Sequence, residues 1–110
     1  MIVKEKNEGT KITYKVNGNL ITFGDGQDLT INLKKYERNE QTQVDITMNV
    51  DGMILVGTGQ DGYFIAQITI PAKEYVEGVL QDFDIDKCTL DLWGMNFKIN
   101  EEIVPETEVE

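Results

Sequence analysis

The feature that most constrains the fold of this chain is a set of short segments in which apolar and polar residues alternate between glycine-containing breaks. In the middle of the chain, polar residues alternate with Val44, Ile46, Met48 and Val50. This period of two is typical of a β-strand with one buried face, because successive side chains of a strand point to opposite sides of the sheet. We therefore expect the longest apolar region, residues 44–70, to form the central strands.

Asp51-Gly52 interrupts the alternation and predicts the first tight turn. Aspartate followed by glycine suits a two-residue type I′ turn, because both central residues of this turn need a positive φ and its twist matches the flanking strands. Such a turn would place Met48 opposite Leu55. The two apolar strands are thus expected to form an antiparallel hairpin.

Asn17-Gly18 predicts a second hairpin, because it lies between two alternating segments. Asparagine followed by glycine is the strongest short hairpin signal. A turn at this position would place Tyr14 opposite Ile21. An aromatic residue facing a β-branched residue in this way stabilises an antiparallel pair.

Gly94-Met95 predicts a third hairpin, because glycine in the first central position suits a type II′ turn. This turn would place Leu92 opposite Phe97.

Residues 101–110 then contain five glutamates and no base. Such a segment buries too little apolar surface to offset its ordering entropy. We expect one β-domain over residues 1–100 followed by a disordered, dispensable acidic tail.

Residues 57–62 read G-x-G-x-x-G, the pattern of a dinucleotide-binding loop. That motif binds a pyrophosphate because its last glycine begins a helix whose N-terminal N–H groups face the phosphates. Here residues 63–70 follow, rich in β-branched and aromatic side chains and ending at Pro71, and this composition predicts a strand. We therefore expect a loop between two strands and no nucleotide cofactor.

The segment 72–83 has two interpretations. Helical spacing is shown by Ala72, Val76, Val79, Leu80 and Phe83. Gly78 lies in the middle of the segment and strands are expected on both sides, which favours an irregular or partly extended connection. We expect at most one short helix here.

Short apolar segments joined by hairpin turns, with no alternation of helices and strands, are typical of an all-β protein. We predict a single-domain antiparallel β-sandwich of about eight or nine short strands, with a small β-barrel as the alternative. No apolar stretch is long enough for a membrane-spanning helix, and a cytoplasmic location is expected.

The chain contains neither histidine nor serine. Ser-His-Asp catalysis, Cys-His nucleophiles and histidine-containing zinc sites are therefore excluded. The single cysteine, Cys88, follows the same alternation as Leu90 and Leu92 and is expected to be a small buried residue. We expect a protein that is not an enzyme, with no catalytic residue, no cofactor and no metal ligand assigned.

Charge is unevenly distributed along the chain. Twenty acidic and ten basic residues give a formal net charge of −10. Residues 74–110 hold eleven of the acids and two of the bases, whereas residues 1–73 are close to neutral. Nucleic-acid affinity comes largely from Lys and Arg that displace counterions, so direct binding through the C-terminal third is unfavourable. The excess of acidic residues in the C-terminal third favours a basic protein surface or a cation as the partner.

The candidate interaction surface is the acidic part of this C-terminal third together with its tryptophan. Its members are Glu74, Glu77, Asp82, Asp84, Asp86, Asp91 and Trp93. The first three aspartates match the first three ligands of an EF-hand loop. Lys87 then stands where the turn glycine belongs and Trp93 where the bidentate glutamate belongs, which excludes an EF-hand. Trp93 is expected to be packed under a second layer or, alternatively, to be an exposed interface anchor or sugar-stacking platform.

Three stretches resemble a pattern in small acidic proteins encoded in prophage structural gene clusters. They are Ile70-Pro71-Ala72-Lys73-Glu74-Tyr75, Asp84-Ile85-Asp86-Lys87 and Leu90-Asp91-Leu92-Trp93. The resemblance implies an accessory or assembly role in a phage, in the cytoplasm or in the phage particle. It implies no particular site residue.

Together these observations predict a non-enzymatic module that works by protein–protein contact, with a protein partner or by self-association. One alternative is an acidic DNA mimic, whose carboxylates compete for the basic groove of a nucleic-acid-binding protein. Another is a carbohydrate- or calcium-binding β-module. That alternative needs Trp93 exposed beside a groove or three carboxylates within metal-ligand distance.

Overall fold

A computed structural model describes residues 1–49, 51–57 and 63–95 of the chain. Ten strands form in these residues: β1 (Ile2–Glu5), β2 (Tyr14–Asn17), β3 (Leu20–Phe23), β4 (Leu29–Asn32), β5 (Thr42–Met48), β6 (Ile54–Val56), β7 (Tyr63–Ile70), β8 (Tyr75–Val76), β9 (Val79–Leu80) and β10 (Thr89–Leu92). Two 3-10 helices span Leu33–Tyr36 and Ile85–Lys87. None of the described residues belongs to a helix with the length and hydropathy that crossing a membrane requires.

The strands form three sheets. The larger sheet has the spatial order β1, β10, β7, β5, β6, and the smaller sheet has the order β2, β3, β4. β8 and β9 form a separate two-stranded hairpin. Neighbouring strands are antiparallel except β1 and β10, which are parallel. The predicted all-β architecture with antiparallel sheets is confirmed, with one parallel pair at an edge.

One cluster of buried apolar residues joins the two main sheets and forms the core. The alternation seen in the sequence produces it: Leu90 and Leu92 are buried, whereas Asp91 between them is only partly buried. Cys88 is fully buried, as predicted. The cluster consists of Ile12, Ile21, Phe23, Ile31, Leu33, Val44, Ile46, Ile65, Ala66, Ile68, Ile70, Cys88, Leu90 and Leu92.

The β2–β3 hairpin forms, but its register differs from the predicted one. The turn residues are Gly18 and Asn19, so Tyr14 lies opposite Phe23 and not opposite Ile21. Gly18 has a φ of 62° in the first turn position, as a type II′ turn requires. Because the shift is an even number of residues, Ile21 and Phe23 keep their place on the buried face.

The β5–β6 hairpin also forms, but the predicted register is wrong by one residue. Met48 lies opposite Ile54 instead of Leu55. The side-chain Oδ1 of Asn49 accepts two backbone N–H groups of the turn, at 3.0 and 2.9 Å. These bonds stabilise a connection longer than two residues, which shifts the pairing. Val50 lies outside the described residues.

Both sides of β10 are paired, which contradicts the predicted C-terminal hairpin. Leu92 lies opposite Ala66 on β7 and opposite Glu5 on β1. No hydrogen-bonding edge of β10 is left for the predicted pairing of Leu92 with Phe97, so that prediction is wrong. Phe97 itself, the predicted tail 101–110 and the predicted end of the domain lie outside the described residues.

Two segments that were ambiguous in sequence are extended where the structure describes them. β7 follows the G-x-G-x-x-G stretch as a strand, as predicted, and residues 58–62 lie outside the described part.

The segment 72–83 contains β8 and β9 and no helix. Its turn, Glu77-Gly78, has φ values of 50° and 80°, the two positive values that a type I′ turn needs. The partly extended interpretation is therefore the right one.

Candidate protein-interaction surface

The hairpin formed by β8 and β9, here called the 75–80 hairpin, carries four large apolar side chains that are about half exposed or more. The exposed fractions are 54% for Tyr75, 54% for Val76, 62% for Val79 and 48% for Leu80. Tyr75 lies opposite Leu80, and Val76 lies opposite Val79. Since consecutive residues of a strand point to opposite sides, one apolar pair lies on each face of the hairpin. The rest of the described chain leaves about half of each of these side chains exposed.

The base of the 75–80 hairpin is held against the loop that follows the first 3-10 helix. The backbone N–H of Lys73 donates to the carbonyl of Arg38 at 2.8 Å. The backbone N–H of Gln81 donates to the carbonyl of Glu74 at 2.8 Å, which extends the ladder by one pair. The hydroxyl of Tyr75 lies 3.4 Å from Oδ1 of Asn39. These bonds fix the position of the hairpin without burying its apolar side chains.

A cavity of about 140 Å³, here called the acidic cavity, lies at the base of the hairpin. Its lining consists of Glu37, Pro71, Ala72, Glu74, Asp82, Phe83, Asp84 and Lys87. A more open depression shares five of these residues and continues onto Tyr75 and Val76 of the hairpin and onto Gln81. The acidic cavity is therefore continuous with the β8 strand of the hairpin.

Among the described residues that line the acidic cavity, Lys87 is the one cation. Its Nζ donates a hydrogen bond to Oε1 of Glu74 at 2.7 Å. That hydrogen bond and the negative charge of Glu74 raise the pKa of Lys87. Because both side chains are more than half exposed, the pair contributes little to stability. Four carboxylates face one ammonium group, so the lining has a net negative charge.

The structure brings together some of the predicted acidic residues and separates others. Glu74, Asp82 and Asp84 line the acidic cavity. Glu77 occupies the turn of the 75–80 hairpin. Asp86 lies in the second 3-10 helix, where its Oδ1 is 3.3 Å from the N-terminal ammonium group. The remaining carboxylate, that of Asp91, lies on β10 and not in the lining of the cavity.

Trp93 lies apart from this surface and is partly buried. Its ring centroid is 6.3 Å from that of Phe64, with the ring planes at 44°. Its backbone N–H donates to the carbonyl of Ile65 at 3.1 Å, next to the larger sheet. A tilted aromatic pair at this distance is a packing contact. The packed interpretation of Trp93 thus accounts for its position better than a free platform does.

Sequence reasoning missed the apolar half of the surface and one acidic residue. No sequence pattern singles out Tyr75, and the spacing of Val76, Val79 and Leu80 fits a helix face or an irregular connection. The Glu77-Gly78 pair was the signal that could have identified a hairpin, because glycine readily supplies a positive φ. Glu37 reaches the cavity from a distant segment, and no local pattern indicates that contact.

Metal binding has no support in the described residues. They contain no group of three or more cysteine, aspartate or glutamate side chains arranged to hold a metal ion. Asp82 and Asp84 share the acidic cavity, but Asp84 Oδ1 accepts the backbone N–H of Asp86 at 3.0 Å and caps the second 3-10 helix. The role of Asp84 in the described structure is that of a helix cap.

Asp91 lies in a row of polar side chains across the larger sheet. It lies opposite Gln67 on one side and Lys4 on the other, and Gln67 in turn lies opposite Asp45. The amide Nε2 of Gln67 donates to Asp45 at 2.8 Å, away from Asp91. The buried Oδ1 of Asp91 has no hydrogen-bond partner among the residues that the structure describes. Burying a carboxylate oxygen costs desolvation free energy, and without a hydrogen-bond partner nothing offsets that cost.

Replacing Asp91 by valine is expected to stabilise the protein by about 1 kcal/mol, because it removes the unpaired oxygen and adds a residue suited to strands. Urea denaturation at neutral pH measures the change. Asp45→Val is the matched control in the same row, and we expect it to be destabilising, since it leaves the Gln67 amide unpaired. If Asp91→Val instead destabilises the protein, interactions of this carboxylate in the folded state must offset its desolvation cost.

Comparisons with protein-family models, with curated proteins and with solved structures give no match. No site residue can therefore be assigned by similarity. The resemblance to prophage-encoded acidic proteins stays a prediction from the sequence. The 75–80 hairpin and the acidic cavity are the features of the described structure that indicate a function.

Proposed function

We propose that this protein is a non-enzymatic protein–protein interaction module that binds its partner through the 75–80 hairpin. The observation that supports the proposal is the exposure of four large apolar side chains on a two-stranded hairpin held at a fixed position. Isolated exposed apolar residues are normal on a protein surface, but adjacent groups of them mark interaction sites. Here one exposed apolar pair lies on each face of a single small hairpin.

The energetics favour a protein partner. Complete burial of a valine or leucine side chain contributes roughly 1.5 to 3 kcal/mol, and tyrosine is a frequent binding hot spot. Association costs several kcal/mol of translational and rotational freedom, so the hairpin alone is a small interface. The open depression that continues from it extends the available contact area. Where β8 lines this depression, apolar side chains adjoin charged ones, as the apolar centre and polar rim of a binding patch do.

A role in phage assembly is the most specific form of this proposal, and it is supported only by the sequence resemblance. The DNA-mimic alternative is supported by the carboxylates around the acidic cavity. It does not account for the exposed apolar hairpin, because a basic nucleic-acid groove offers phosphate-binding cations and few apolar pockets. The carbohydrate- or calcium-binding alternative has less support, since Trp93 packs on Phe64.

The double variant Val79→Thr/Leu80→Gln tests the proposal. Threonine keeps the β-branched shape and both positions are exposed, so we expect the change in folding free energy to stay within about 0.5 kcal/mol. The control is Leu55→Gln/Val56→Thr on β6, which removes the same types of exposed apolar side chain at a sheet edge.

We expect affinity capture from extracts of the source cells to recover a protein with the wild-type chain and the β6 control, but not with the hairpin variant. For the recovered partner, isothermal titration calorimetry should show binding at least about tenfold weaker for the hairpin variant, which corresponds to about 1.4 kcal/mol. Light scattering shows whether the partner is a second copy of the chain. Equal binding by all three proteins would contradict the proposal.

A further inference from the structure

On the basis of the proposed function, we infer that the partner's binding segment combines apolar residues with an arginine. The arginine enters the acidic cavity, and the apolar residues cover the 75–80 hairpin. Tyr75 and Val76 share one depression with Glu74 and Asp82, so the β8 strand of the hairpin is continuous with the cavity. A segment that covers the hairpin on that side therefore comes directly against the cavity.

Charge complementarity identifies the partner's chemistry. The cavity lining has four carboxylates and one ammonium group. The ammonium of Lys87 is already bound to Glu74 at 2.7 Å. The carboxylates of Glu37 and Asp82 have no ion-pair partner among the described residues. Two free carboxylates beside an apolar contact surface favour a cation and disfavour an anionic ligand.

The remaining lining distinguishes arginine from lysine. Phe83, Pro71 and Ala72 give the cavity an apolar part beside its carboxylates. A guanidinium group is planar, weakly hydrated and able to stack on an aromatic ring while it donates several hydrogen bonds to carboxylates. An ammonium group is more strongly hydrated and gains less from such a surface. The acidic cavity already contains one ammonium group, that of Lys87.

The test uses two acetylated and amidated peptides of the sequence Val-Leu-Arg-Val, one of them with citrulline in place of arginine. Citrulline has nearly the same shape as arginine and no charge. Binding is followed by two-dimensional ¹⁵N NMR on the full-length protein. We expect the arginine peptide to shift the amide signals of residues 75–80 and of residues 82–87. We expect the citrulline peptide to bind at least about fivefold more weakly, with shifts confined to the hairpin.

Two variants assign the charge effect to the cavity. Asp82→Asn should reduce the affinity for the arginine peptide about threefold or more and leave the citrulline peptide unchanged. Glu8→Gln removes the same unit of charge outside the cavity lining and should change neither affinity. Both side chains are exposed, so neither variant is expected to impair folding.

The outcomes separate this inference from the proposed function. Equal affinity of both peptides for the hairpin would overturn the arginine inference and leave the hairpin as a docking site. Binding of the arginine peptide that Val79→Thr/Leu80→Gln does not weaken would count against the hairpin itself. The absence of any shift in residues 82–87 with the arginine peptide would also overturn the inference.

Discussion

Replacing Phe23 by alanine is expected to destabilise the protein by about 3 to 5 kcal/mol, a large part of the stability of a domain of this size. Phe23 lies on β3, is fully buried, and comes first among the largest buried side chains of the core. Its removal loses the transfer free energy of the ring and leaves a cavity between the two main sheets. Urea denaturation followed by circular dichroism measures the loss as a lower midpoint.

The matched control is Phe64→Ala, which removes the same side chain from a position that is 47% exposed. We expect it to cost clearly less than the change at Phe23, since the ring is only partly removed from water and its contact with Trp93 is a single tilted pair. Similar losses at the two positions would show that the core does not lie between the two main sheets.

The thiol of Cys88 is expected to be almost unreactive in the folded protein. Its side chain is fully buried, and burial raises its pKa to about 11. At pH 8 the thiolate fraction should therefore be about a hundredfold lower than in the unfolded chain, and burial slows access further. A chromogenic disulfide reagent should label the native protein at least about a hundredfold more slowly than the protein in denaturant. Rapid labelling in native buffer would contradict this burial.

The same pKa shift predicts how stability depends on pH. A pKa raised in the folded state favours the neutral thiol, so its contribution to stability is complete below the unfolded value, near 9. Between pH 9 and about 11 the contribution is lost, at up to about 1.4 kcal/mol per pH unit. Cys88→Ala should lack this part of the decline, which assigns it to the thiol.

The strands were predictable from the sequence because alternation and glycine turns are local signals. The pairing register was less predictable, because small details of the turns decide it. One side chain, that of Asn49, lengthens the β5–β6 connection and moves Met48 from Leu55 to Ile54. The placement of β10 between β1 and β7 could not be predicted, since contacts between distant segments leave no periodic pattern.

The candidate surface was predictable only in part, for the same reason. Glu74, Asp82 and Asp84 were identified from the charge distribution, and the structure places them around one cavity. The apolar hairpin was missed because the spacing of Val76, Val79 and Leu80 also fits a helix, and a single Glu-Gly pair decides between the two. Trp93, the most conspicuous residue in the sequence, packs against Phe64 instead of joining the surface.

Amide hydrogen exchange in the complex with the captured partner tests the central claim most directly, namely that the 75–80 hairpin is the docking site. A two-stranded hairpin with few buried contacts should exchange quickly in the free protein. We predict that partner binding slows exchange at least about tenfold in residues 74–84 and leaves β6 unchanged. Protection of β6, or of the residues around Phe64 and Trp93, with an unchanged hairpin would contradict the account.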